Sequence, residues 1–134
     1  MTNRVEELYQ EIADVLVDIV PEKWKKVYVN AQVQGMDSKA FLYYMPAKGE
    51  EVMSGTHIPV KFKAYKDLYA QLLEELEVTF SQLWFALKEE DEDVFTNVTY
   101  ILTNDGEIDV DYDEQPVTNI EQHHASWLAK YVNK

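Results

Sequence analysis

Four carboxylates at alternate positions, Glu107, Asp109, Asp111 and Asp113, are the residues of this chain best placed to do chemistry. Alternate side chains of a strand share a face and repeat at about 6.6–6.8 Å. The four therefore form one row whose charges repel, with no base in the adjacent sequence to relieve them. Three readings fit such a row: a solvent-facing strand edge kept from aggregating by charge, a docking stripe for a partner's lysines and arginines, or a divalent-metal site. Asp109-Val110-Asp111-Tyr112-Asp113 imitates the opening of an EF-hand calcium loop, but Glu114 stands where that loop needs glycine for its sharp turn. A second acidic run, Glu89-Glu90-Asp91-Glu92-Asp93, falls where a long helix ends. Acids there meet the negative end of the macrodipole and cost about 0.3–1 kcal/mol each. Such a run is either a solvated loop or a binding element.

Other chemistries find little support. The chain has no cysteine, which removes a disulfide framework, a thiolate metal site and a cysteine nucleophile. His123 and His124 are adjacent on a helical segment and point about 100° apart, so they do not chelate one ion as an i, i+4 pair would. No HExxH, Ser-His-Asp arrangement, GxGxxG or P-loop occurs. The chain does not read as an enzyme, and no cofactor is expected. Lys23, Lys25 and Lys26 flank Trp24, and Lys61, Lys63 and Lys66 form a second group, but a net charge of −13 opposes phosphate at long range.

The elements that must carry these residues follow from periodicity. Val5, Leu8, Ile12, Val15, Leu16 and Ile19 predict a helix over Asn3 to Val20, capped by Thr2 or Asn3 and stopped by Pro21. Val27, Val29, Ala31 and Val33 alternate with Tyr28, Asn30, Gln32 and Gln34 as in a half-buried strand. Gly35-Met36-Asp37-Ser38 turns the chain into a second strand, Lys39 to Met45, and a weakly patterned stretch about Val52 and Met53 offers a third. A long helix over roughly Lys63 to Glu89 carries Tyr65, Tyr69, Leu72, Leu76, Phe80 or Leu83, Trp84 and Leu87. Val94 to Thr103 and Glu107 to Asp113 form a late hairpin through Asn104-Asp105-Gly106. Thr118-Asn119-Ile120-Glu121 reads as a capping box for a last helix bearing Ile120, His124, Trp127, Leu128 and Tyr131. The expectation is one α+β domain over residues 1–134. In it an antiparallel sheet of two hairpins packs on the long helix and the flanking terminal helices, and the sheet's other face stays polar.

Charge sharpens the functional question. Residues 74–121 hold fifteen acids and one base, Lys88, whereas residues 1–73 hold ten acids and nine bases. Apolar residues such as Leu76, Phe80, Trp84 and Ile101 thread the acidic third, so it folds rather than trails. A surface of one strong sign steers oppositely charged partners and repels nucleic acid and anionic lipid. The partner is therefore a basic protein surface or a cation. No stretch is apolar enough for a membrane span or a signal peptide, which makes the cytoplasm the default location.

Several stretches in order resemble one family. They are Leu8 to Ile12, Val20-Pro21-Glu22-Lys23-Trp24-Lys25-Lys26-Val27, Phe41-Leu42-Tyr43-Tyr44, the helix about Leu72 to Trp84, Asn104-Asp105-Gly106 leading to Val110-Asp111-Tyr112-Asp113, and Trp127-Leu128-Ala129-Lys130-Tyr131-Val132. Together they are similar to the YezG-like immunity proteins, antitoxins to nuclease toxins of the LXG class secreted by the bacterial type VII system. The chain departs from the family pattern at Val94-Phe95-Thr96, where a tryptophan is favoured, and at Glu107, where a basic or apolar residue is favoured. The resemblance implies a non-enzymatic protein that binds the C-terminal nuclease domain of a cognate toxin in the producing cell and keeps it inactive. Glu107, Asp109, Asp111 and Asp113, with Glu89, Glu90, Asp91, Glu92 and Asp93, are the docking carboxylates expected on that view.

Overall fold

A computed structural model describes residues 2–90 and 94–132, with side chains from Arg4 onward. Helix α1, Thr2–Ile19, is followed by strands β1, Trp24–Gln34, and β2, Asp37–Pro46. A two-residue strand β3, Met53–Ser54, leads through a short 3-10 turn into helix α2, Ile58–Lys61. A second 3-10 turn, Lys63–Tyr65, opens the long helix α3, Lys66–Glu89. Strands β4, Asn97–Thr103, and β5, Ile108–Asp113, then precede α4, Ile120–Trp127, and a π-helical turn, Leu128–Val132. The sheet is antiparallel in the order β3-β2-β1-β4-β5, so the acidic strand lies at one edge.

The α+β expectation holds, and so does the late hairpin, although its strands begin at Asn97 and Ile108 rather than at Val94 and Glu107. Gly106 takes φ 93° at its turn and Gly35 φ 62° at the other, left-handed conformations that a Cβ disfavours. Helix α1 ends two residues before Pro21, as the missing N–H and the ring of that proline require. Its stripe Leu8, Ile12, Leu16 and Ile19 is fully buried against Leu76, Phe80 and Leu83 of α3 and against Val27, Val29 and Ala31 of the sheet. Glu77, one of the acids in the charged third, serves this packing. Its carboxylate accepts from the Ala40 N–H at 2.9 Å and its carbonyl from the Ser38 hydroxyl at 2.6 Å, which ties α3 to β2.

Other readings need correction as well. The long helix starts at Lys66 rather than Lys63, because Lys63–Tyr65 is a 3-10 turn. Helix α4 is capped by Asn119, whose side chain accepts from the Gln122 N–H at 3.0 Å, rather than by Thr118. The second face of the sheet is polar, at Asn30, Asn97 and Thr99, but it is covered, since α4 lies across it and leaves Asn30 0% exposed. The proposed α1 cap at Thr2 or Asn3 lies outside the described side chains.

Candidate partner-binding site

Register places the acidic row. Asp109, Asp111 and Asp113 pair with Ile101, Thr99 and Asn97 of β4, which in turn pair with Tyr28, Asn30 and Gln32 of β1. These side chains all project to the face that α4 covers. Helix α4 reaches only the middle of that face, so Glu107, Asp109, Asp111 and Asp113 are exposed along its rim. The alternate side chains turn the other way. Val110 packs against the core, and the Tyr112 hydroxyl hydrogen-bonds that of Tyr9. The row can therefore lose charge without emptying the core.

A polar cluster pins α4 beside the row. The Asn30 amide donates to Asn97 Oδ1 at 3.0 Å and to the Val98 carbonyl at 3.3 Å. Its oxygen faces His123 Nε2 at 3.0 Å, an arrangement that places the imidazole proton on Nε2. Trp127 Nε1 donates to Thr99 Oγ1 at 2.9 Å. His124 stacks on Phe41 with ring centroids 4.1 Å apart, and its Nε2 meets the Tyr43 hydroxyl at 2.7 Å. Both histidines are thus structural ties of α4. Tyr43 shares this aromatic cluster with Trp127. Tyr44 points to the opposite face and donates to Glu22.

Burial lowers the His123 pKa, a shift that Asp113 opposes and His124 reinforces. A cavity of about 290 Å³ opens between the cluster and the row, lined by Asn97, Asp111, Asp113, His123, Trp127 and Tyr131 among others. The Tyr131 hydroxyl donates to Asp111, and burial together with that carboxylate raises the Tyr131 pKa. The Lys130 ammonium is held protonated above its ordinary range, first by the Tyr131 hydroxyl and then by Asp111 and Asp113. The fold thus supplies the row with a cation and a hydroxyl that local sequence did not reveal. The signal was the terminal Trp-x-x-Lys-Tyr segment, whose place beside β5 depends on how α4 crosses the sheet.

The second acidic run is only partly placed. Glu89 is exposed at the end of α3 and Glu90 caps it, whereas Asp91, Glu92 and Asp93 lie outside the described residues. Among the described residues no three His, Asp or Glu side chains converge as a metal ion needs. No described helix is long and apolar enough to cross a membrane.

Known proteins resemble this chain over most of its length. A family model described as "Immunity protein YezG-like" matches residues 5–133. Immunity protein YezG of Bacillus spizizenii is 31% identical over 134 residues, covering 96% of this chain and 83% of its own length. Immunity protein YezG of Bacillus subtilis is 31% identical over 108 residues, 81% of this chain and 72% of its own. The type VII secretion system protein EsaG of Staphylococcus aureus is 26% identical over 110 residues, 82% of this chain and 68% of its own.

Proposed function

The chain belongs to the family of YezG-like immunity proteins, and from that premise we propose that it binds the C-terminal nuclease domain of a cognate secreted toxin and holds it inactive through its acidic face. The toxin on this reading belongs to a type VII secretion system, as the name of the staphylococcal relative suggests. The chain acts in the cytoplasm of the producing cell, as a binding protein rather than an enzyme. The observation that carries the acidic-face reading is the exposed row Asp109, Asp111 and Asp113 on an edge strand, with Glu107 just ahead of it.

The physics is substitution of one polyanion for another. A nuclease holds its substrate by lysines and arginines that neutralise phosphates. A rigid row of carboxylates at strand spacing offers those cations fixed partners, and a close interfacial charge pair is worth about 1.5–7 kcal/mol where it is well formed. Occupying the groove excludes nucleic acid without any chemistry by the inhibitor.

The test is Asp109→Asn, Asp111→Asn and Asp113→Asn together. The amide oxygen introduced by Asp111→Asn would still accept from Tyr131, and none of the three side chains packs in the core. Thermal melting should stay at the parent value or rise slightly as repulsion is relieved, while protection of cells expressing the toxin domain falls. Full protection by the triple variant would leave the row as a solvated strand edge. The metal reading makes a separate demand: calorimetric titration with calcium or magnesium should then show a stoichiometric site, and the immunity reading predicts none.

A further inference from the structure

We infer that the outer edge of β5 is a strand-addition site for an extended basic segment of the partner, with lysine or arginine at alternate positions. The inference rests on the toxin-binding reading and adds the mode of contact. Backbone hydrogen bonds fix the parity of the edge. Val33 N donates to the Thr96 carbonyl at 3.1 Å and Asn104 N to the Lys25 carbonyl at 3.0 Å, so even-numbered carbonyls and amides along β4 serve β1. Thr103 N donates to the Glu107 carbonyl at 3.0 Å, so odd-numbered β4 residues serve β5. Where the ladder ends, the Asp113 carbonyl also takes the Thr96 N–H at 2.8 Å, again on the β4 side. Asp109, Asp111 and Asp113 therefore spend their backbone groups on β4, through their pairs with Ile101, Thr99 and Asn97. The N–H and C=O groups of Ile108, Val110 and Tyr112 point away from the sheet, where no further strand stands among the described residues.

Charge decides what can pair there. An edge strand offers its free backbone groups to any extended chain. A second copy of this protein on the same edge would set the aspartates beside their own counterparts, and like charges opposite one another destabilise a sheet. A strand with basic side chains on that face instead neutralises Asp109, Asp111 and Asp113. Its intervening residues fall on the other face, beside Ile108 and Tyr112, which are 36% and 37% exposed. In strand addition the main chain supplies affinity and alternate side chains supply selectivity. The opposite edge, β3, is two residues long and carries no such row. An acidic groove between α1 and α3, lined by Glu11, Asp14, Asp18 and Glu75, offers no backbone edge.

Amide hydrogen exchange of the full chain with a short synthetic peptide of alternating lysine and valine is the test. The expected result is slowing of the Ile108, Val110 and Tyr112 amides by about tenfold or more at millimolar peptide. A peptide with the same lysines but proline in place of valine should give no such slowing, because it keeps the charge and loses the donors. Ile108→Pro and Val110→Pro each remove one outward N–H while leaving the bonds to β4, and should weaken peptide binding at unchanged net charge. If either variant unfolds, the exchange pattern of the parent decides alone. Unslowed edge amides, equal effects of the two peptides, or slowing confined to α1 and α3 would overturn the proposal. The aspartate-to-asparagine assay reads side-chain charge on an intact edge, so failure here and failure of the acidic-face reading are separable.

Discussion

Asn30 shows how one residue changes the meaning of a face. It sits fully buried among Asn97, Thr99 and His123, and its amide must be satisfied there because a buried polar group without a partner costs about 1–3 kcal/mol. The sequence offered Asn30 only as a polar residue alternating with valines, and alternation says that two faces differ without saying which is wet. His123 completes the set and makes it sensitive to pH. Burial holds its folded-state pKa down, with Asp113 pulling the other way and His124 adding to the depression. The unfolded chain takes up the proton first, near pH 6.5, so stability present at neutral pH is lost as pH falls through that value toward the lower folded pKa. His123→Gln keeps a donor toward Asn30 without a titrating group. Its melting temperature should therefore drop less than the parent's between about pH 7.5 and pH 5.5. Equal drops would show that His123 does not couple α4 to pH.

Helices α1 and α3 and the central strands were legible because their apolar periods are long and uninterrupted. Leu8, Ile12, Leu16 and Ile19, with Leu76 and Phe80, are fully buried where the 3.6-residue spacing puts them. Leu76→Ala or Leu16→Ala should each cost about 2–5 kcal/mol in denaturant unfolding. Ile120→Ala, at a position on α4 that is 66% exposed, should cost below about half a kcal/mol. Losses below about half a kcal/mol at both leucines would contradict the core assignment. The position of α4 was not legible. Its own stripe is short, and what seats it is a set of contacts with Phe41, Tyr43 and Thr99, all distant in sequence. The row on β5 was readable as a row, but its neighbours Lys130 and Tyr131 were not, because they reach it only through that crossing.

Across the whole molecule the acidic third is not uniform. Glu77 braces α3 against β2, and the Asp105 carboxylate, lowered in pKa chiefly by the Thr103 hydroxyl, braces the hairpin turn. The row on β5 stays exposed, although Asp111 accepts from the Tyr131 hydroxyl and Asp113 from the Gln115 N–H. A net charge of −13 carried largely on such a surface predicts fast association with a basic partner, up to about 10⁸–10⁹ M⁻¹s⁻¹ at low ionic strength and slowing steeply with salt. Stopped-flow mixing at two salt concentrations checks this, and a rate indifferent to salt would assign the contact to apolar surface instead. Inhibition itself is read by titrating this protein into the purified nuclease domain of a candidate toxin, with cleavage of nucleic acid as the signal. Cleavage should fall linearly with added protein and vanish at a fixed molar ratio. Undiminished cleavage with this protein at about 100 μM, a concentration that would saturate even micromolar affinity, would contradict an inhibitory role.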